Sequence, residues 1–271
     1  MMHLEFPAHN VETGTATIMM LNADCFDVFP LLTAKRYDTI IIDPPFYTAA
    51  EGSTSMSKPD VKKLAWQTKR LLKQHGTVWL FGNHPGLLND YMDCWRATGF
   101  DMVTEMILLR RIISPLTGRW HPRRAHMNLW VLKLRATRCE DLKLDWRKIA
   151  REKGPSKREP GVMFPYRTMS WERRKDYEGW PKSVQVGQVA NPLHPWQKPL
   201  SLMIMIIQAS TDEGDWVLDP FAGSGTTAVA CKLLNRNCVA IEIDPQYYDV
   251  MVRRVEQAGG LEQYVAEEVR M

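Results

Sequence analysis

Short apolar runs alternate with stretches of helical periodicity along most of this chain. Ala16–Leu21 reads as a strand closing on Asn22-Ala23-Asp24, and Phe26–Ala34 as a brief helix. Thr39–Ile42 is a compact apolar run that reads as a buried strand, within a strand over Tyr37–Ile42. The spacing of Val61, Leu64, Ala65, Thr68, Leu71 and Leu72 predicts a helix over 60–74. A strand at Thr77–Phe81 follows, then a helix from Pro85 to Thr98 stopped by Gly99. Strands are expected at 101–109 and 127–134. After Trp196 come a helix at 199–210, a strand at 216–218, a helix at 224–234, a strand at 238–243 and a helix at 245–256. Strands alternating with helices imply an α/β fold around a mostly parallel sheet.

Three stretches break the rhythm. Residues 1–16 read as a loose lead-in, and Tyr47–Lys58 is rich in Gly, Ser, Thr and Ala, the composition of a loop. Residues 135–193 lose periodicity among glycines, prolines and charges, as an irregular inserted module would. The expected organisation is therefore a body of 17–134 and 194–258 interrupted by 135–193, with peripheral termini at 1–16 and 259–271.

Charge changes this picture. The chain of 271 residues carries a formal net charge of only +4. Between Arg110 and Lys175, however, 19 Lys and Arg stand against 6 Asp and Glu, a local balance of +13. The rest of the chain holds 16 against 25, or −9. Arg110-Arg111, Arg119, Arg123-Arg124 and Arg173-Arg174-Lys175 are interleaved with Trp120, Trp130, Trp146, Tyr166 and Trp171. Cations among aromatic rings suit a nucleic-acid partner, contacted through phosphates and stacked bases. Five cysteines without a CxxC pair make neither a disulfide framework nor a zinc site, so no metal is expected. The longest apolar run, Leu202–Ile207, is too short for a bilayer, and the start lacks signal-peptide features. A soluble cytoplasmic protein is the expectation.

Two turns carry candidate chemistry. Asp43-Pro44-Pro45-Phe46 follows the strand at 37–42, and its two prolines force a stiff, extended path. A carboxylate and an aromatic ring are thereby fixed at a strand's carboxyl end, where open α/β sheets bind ligands. Leu218-Asp219-Pro220-Phe221-Ala222-Gly223-Ser224-Gly225-Thr226-Thr227 joins a strand to a helix whose first N–H groups face an acidic ligand. Glu242 ends the following strand, where an acidic residue accepts ribose hydroxyls in dinucleotide-type folds. Together the turns argue for a nucleoside-containing cofactor.

These residues resemble those of the amino-methylating DNA methyltransferases. Asp219–Gly225 is similar to their S-adenosylmethionine loop, and Asp43–Phe46 to their catalytic D/N/S-P-P-Y/F motif. The catalytic motif precedes the cofactor loop, with the basic module between them, which is the order of the β group; there the module recognises the target. His194-Pro195-Trp196-Gln197-Lys198-Pro199 resembles the family's H-x-x-Q-K-P entry, and Leu21-Asn22-Ala23-Asp24 its N-terminal acidic strand end, with Ala23 replacing the usual Gly. The resemblance implies a Rossmann-like fold with a seven-stranded sheet and S-adenosylmethionine as cofactor. It places Asp43, Asp219, Phe221, Gly223, Ser224, Gly225, Thr226 and Thr227 around that cofactor. Glu242 would lie on the ribose hydroxyls, Asp24 on the adenine amino group and Lys198 at the methionine carboxylate. It also implies double-stranded DNA as partner, is compatible with a homodimer, and places such enzymes in restriction-modification. No nuclease motif accompanies it here.

The chemistry of that reading is coherent. An exocyclic amine is a poor nucleophile because its lone pair is delocalised into the ring. Acceptors at Asp43 and the Pro44 carbonyl, aimed at its two hydrogens, would favour the pyramidal form, with Phe46 stacked on the base. Asp at the first motif position favours adenine N6 over cytosine N4. RNA or protein N-methylation and a non-catalytic binding role are the alternatives, distinguished by methyl transfer onto each substrate.

Overall fold

The computed structural model describes residues 6–45, 58–82, 85–110, 126–148, 183–186, 193 and 197–259. Among them the strands are β1 (Ala8–Thr13), β2 (Ala16–Asn22), β3 (Tyr37–Ile42), β4 (Leu72–Gly82), β5 (Phe100–Arg110), β6 (His126–Leu134), β7 (Ser183–Val186), β8 (Trp216–Asp219) and β9 (Asn237–Glu242). The helices are α1 (Cys25–Val28), α2 (Lys58–Leu71), α3 (Pro85–Thr98), α4 (Leu200–Ser210), α5 (Thr226–Leu233) and α6 (Pro245–Gln257). One sheet contains all nine strands in the order β1-β2-β9-β8-β3-β4-β6-β5-β7. Its middle, β2-β9-β8-β3-β4, is parallel, while β6 turns antiparallel against β4 and β5.

The strand pleat sorts the core into two layers. Ile41, Trp79 and Phe81 pack with α4, α5 and α6 on one face. Ile40, Ile42, Val78 and Leu80 pack with α1, α2 and α3 on the other. Every residue of β3 is buried, the polar Asp38 and Thr39 as well as Ile40–Ile42. Nine of the eleven residues of α4 are buried, so Leu202–Ile207 is a core helix. No helix among the described residues is long and apolar enough to cross a membrane.

The sheet corrects the expected seven strands in two places. The lead-in at 1–16 contains β1, which pairs antiparallel with β2 from Ala8↔Leu21 to Thr13↔Ala16. Its exposed-intermediate alternation carries little hydrophobic signal. At the other edge, β7 extends β5 through pairing of Ile107–Arg110 with Ser183–Val186. The helix expected to 74 ends at Leu71, because Leu72 already pairs with Tyr37 in the sheet.

Residues 135–148, assigned above to the inserted module, lie against the body. Asp145 N–H donates to the Ala209 carbonyl at the end of α4 (2.8 Å), and Lys143 N–H to that of His75 (2.9 Å). Lys143 forms ion pairs with Asp215 and with Asp212 (3.3 Å), and Lys148 with Asp212 (2.6 Å). Beneath them, buried Asp38 accepts from Lys73 Nζ and from the Trp216 N–H (3.0 Å). Trp146 enters the core edge-on to Trp79, ring centroids 5.6 Å apart. Trp130 is also buried, its indole N–H donating to Glu105 (2.9 Å). Both rings, grouped above with the nucleic-acid-binding aromatics, are core residues instead. Composition shows a tryptophan among cations but not which way it faces.

Trp146→Ala is therefore expected to cost about 3–5 kcal/mol in denaturant unfolding, as for other buried Trp truncations. A loss below about 1 kcal/mol, typical of exposed positions, would remove Trp146 from the core.

Candidate functional site

Parallel strands end on the same edge of a sheet, so adjacent strands deliver their terminal side chains to one place. Here Glu242 and Asp219 end β9 and β8, while Asp24 and Asp43 follow β2 and β3, and the four strands are neighbours in the sheet order. At about 4.8 Å per strand the row spans roughly 14 Å. From β8 the chain moves through α5 to β9 on one side, and from β3 through α2 to β4 on the other. The order reverses between β3 and β8, and a topological switch point of this kind opens a crevice for ligands. Asp43 and Asp219 flank it.

The turn after β8 is held by its own carboxylate. Asp219 is buried, and it accepts the Phe221 N–H (3.0 Å) and the Thr227 hydroxyl (2.5 Å). Burial pushes its carboxyl up to about 7; the two hydrogen bonds pull it down, and the charges of Asp43 and Glu242 add to the rise. Thr227 Oγ1 also lies 3.8 Å from Met203 Sδ, bringing α5 against α4. Glu242 closes the turn from β9: its Oε2 accepts the Gly223 N–H (2.7 Å) and its Oε1 the Asp244 N–H (2.9 Å). Desolvation raises its carboxyl above the ordinary range as well.

Gly225 caps α5 at φ 79°, in the left-handed region. A Cβ there would lie 2.5 Å from Met251 Cγ and 3.2 Å from its Cα. The glycine thus permits close contact between the turn and α6, besides the backbone freedom expected of it. Arg254, also on α6, grips the same turn: Nη1 donates to the Ser224 carbonyl (2.6 Å), Ser224 Oγ (2.9 Å) and Thr226 Oγ1 (3.3 Å). Ser224, Thr226 and Thr227 are all buried, with side chains turned to Arg254 and Asp219. Sequence reasoning missed Arg254, whose place on an amphipathic helix reads as one more surface cation.

Across the crevice, Asp43 and Pro44 leave β3, with Pro44 buried and Pro45 exposed. Asp43 Oδ2 is ion-paired to Lys198 Nζ, with only 23% and 12% of their side chains exposed. The Lys198 ammonium also lies 5.0 Å from the centroid of Phe81, near the end of β4. Asp24 caps α1 by accepting the Phe26 N–H (2.8 Å). Beside it Asn22 Nδ2 donates to the Glu242 carbonyl (2.8 Å), joining the ends of β2 and β9. The site thus gathers four carboxylates and one ammonium along one edge of the sheet.

The remaining expected residues fall elsewhere. Phe46, Arg111, Arg119, Arg123, Arg124, Arg173, Arg174 and Lys175 lie outside the described residues, as do Tyr47–Ser57 and His194–Trp196. Arg110 ends β5, with its side chain outside the description.

Comparison with known proteins agrees with this geometry. The family model described as DNA methylase matches residues 37–253. Type II methyltransferase M2.DpnII of Streptococcus pneumoniae is 27% identical over 260 residues, covering 88% of this chain and 90% of that one. Type II methyltransferase M.HinfI of Haemophilus influenzae is 26% identical over 266 residues, 88% and 68% of the two chains. Among solved structures, the M1.HpyAVI–SAM complex matches at TM-score 0.58 and 22% identity, covering 88% and 99%. The PvuII DNA methyltransferase (cytosine-N4-specific) matches at TM-score 0.67 and 15% identity, covering 97% and 95%. These structures share the fold.

The raised Asp219 carboxyl fixes a pH dependence. Between its ordinary value of 3.8 and about 7 the folded state retains a proton that the unfolded chain has lost. Its contribution is fully present below 3.8 and disappears as pH rises through about 7. Unfolding free energy is expected to fall from pH 5 to pH 8, and Asp219→Asn to flatten that slope in urea titrations. An unchanged slope in the variant would assign the dependence to another group.

Proposed function

Since the chain belongs to the DNA methylase family, we propose that it transfers the methyl group of S-adenosylmethionine to the exocyclic N6 of a specific adenine in duplex DNA. The observation that carries this reading is the placement of Asp43 directly across the switch point from the Asp219–Thr227 turn. A nucleoside held by the turn and a base held by Asp43 would meet at the crevice between β8 and β3.

Each residue has a physical task. Glu242, at the end of β9, takes the ribose hydroxyls through the lone pairs left beside its contacts to Gly223 and Asp244. Asp24, on the neighbouring strand end, takes the adenine amino group of the cofactor. Asp219 holds the shape of the turn through Phe221 and Thr227. Gly223 and Gly225 keep the backbone low, while Arg254 fixes Ser224 and Thr226 against α6. When bound, the cofactor supplies an electrophilic methyl on a sulfonium.

Asp43 and the Pro44 carbonyl accept the two amino hydrogens of the target base and localise its lone pair. Holding the amine in line for attack supplies much of the acceleration, since well-oriented reactants gain about 7–11 kcal/mol over free encounter. The Asp43 carboxylate then stabilises the positive charge that develops on the nitrogen. Phe46, next in the stiff Pro-Pro turn, stacks on the base.

A paired base cannot reach this crevice, and extruding it costs a few kcal/mol. Contacts of Arg110, Arg111, Arg119, Arg123, Arg124, Arg173, Arg174 and Lys175 to phosphates offset that cost, and sequence recognition belongs to the segment between β6 and β7. Asp as the first motif letter favours adenine; a shared fold with a cytosine-N4-specific enzyme does not decide the base, because both amines pose the same geometric problem.

Asp43→Ala tests the assignment. Transfer of labelled methyl to duplex DNA is expected to fall by about 10²–10³ or more, the range for losing one electrostatic contact to a transition state. Cofactor binding by calorimetry should be retained. An active Asp43→Ala enzyme would remove Asp43 from the chemistry.

A further inference from the structure

The ion pair between Lys198 and Asp43 conflicts with the task just given to Asp43. A carboxylate stabilises a developing cation through its negative charge, and an ammonium on Oδ2 cancels that charge and fills one acceptor position. The pair is also sheltered, with side-chain exposures of 12% and 23%, so solvent screens it little. Charged groups face Asp43 from two sides: Lys198 from the segment entering α4, and the Asp219 carboxyl from the end of β8. Without Lys198, the Asp43 carboxylate would stand in a partly dry crevice beside the buried Asp219 carboxyl. The observed pair is thus the electrostatically stable resting arrangement, and a working arrangement needs the ammonium elsewhere.

The local architecture lets the ammonium move while its backbone stays. Lys198 immediately precedes Pro199, the residue capping α4, and α4 is buried over nearly its whole length. A rigid helix start fixes the Cα. The four-carbon stem still swings, and lysine acts as a mobile point charge without a fixed fork of donors. Phe81, beneath the ammonium, offers a π face that tolerates the charge at more than one lateral position.

We propose that Lys198 is a positioning residue for Asp43: its ammonium covers the carboxylate at rest and transfers to the carboxylate end of the cofactor on binding, so that Asp43 is uncovered for the target base only when the cofactor is present. The proposal rests on the function proposed above. It goes beyond a simple cofactor contact, because it couples two sites through one shared cation. Coupling of this kind is reciprocal: a flipped base on Asp43 must tighten cofactor binding by the same factor.

The test uses the full-length protein and a duplex bearing its mapped site, with fluorescent 2-aminopurine placed next to the intact target adenine to report its extrusion. S-adenosylhomocysteine retains the amino-acid carboxylate; 5′-methylthioadenosine lacks it. In the wild type, the first is expected to tighten binding of the extruded base by about tenfold, within the usual range of coupling between sites. The second should leave it nearly unchanged although it fills the nucleoside subsite. In Lys198→Met the extruded base should bind without ligand as tightly as wild type does with S-adenosylhomocysteine, and neither ligand should change it. Equal coupling by both ligands in the wild type would overturn the proposal, as would full coupling in Lys198→Met. The ligand comparison needs no variant, so a poorly folding mutant cannot obscure the answer. Failure of the underlying function would be distinct: the wild type would methylate no DNA and bind neither ligand.

Discussion

The constraint on which the site depends is the crowding of carboxylates along one edge of a parallel sheet. Parallel pairing sends β2, β9, β8 and β3 to the same edge, and each strand delivers an acid there. Gathering like charges in a sheltered crevice is unfavourable unless each is individually satisfied. The fold satisfies them with backbone N–H groups, one hydroxyl and one ammonium. Phe26 serves Asp24, Gly223 and Asp244 serve Glu242, Phe221 and Thr227 serve Asp219, and Lys198 serves Asp43. What remains is a site poised for a cation, its cost shown by the upward shifts at Asp219 and Glu242. Site and ligand chemistry follow from the same electrostatic debt.

Much of this could be read from the residues. The apolar run at 39–42 had to belong to a buried strand, and the Pro-Pro turn after it had to stop at the carboxyl edge. The Gly-rich turn at 219–227 could only be a strand-to-helix junction, with Glu242 one strand over. What escaped was whatever depended on direction and not on pattern. β1 has weak alternation because one of its faces meets solvent. β7 is four residues long and belongs to the sheet only through its partner β5. Trp130 and Trp146 looked like stacking residues because cations surround them in sequence, yet tertiary packing turned both inward.

The cofactor turn shows the same limit at finer scale. Its glycines suggested ligand approach, but Gly225 is required at least as much by Met251 on α6. The resemblance placed Ser224 and Thr226 around the cofactor, but their side chains meet Arg254, thirty and twenty-eight positions away in the chain. The turn is therefore shaped from behind by α6 and from the side by Glu242, and presents mainly backbone to the crevice. Substitutions on α6, remote from any ligand in sequence, should be read as changes to that shape.

The central claim is that this crevice methylates adenine N6 in duplex DNA, and the most direct measurement is base-resolution sequencing of unmodified DNA treated with purified protein and S-adenosylmethionine. The account requires N6-methyladenine at one recurring sequence and at no cytosine. N4-methylcytosine at the modified positions, or DNA left unmodified while the cofactor binds, would contradict it.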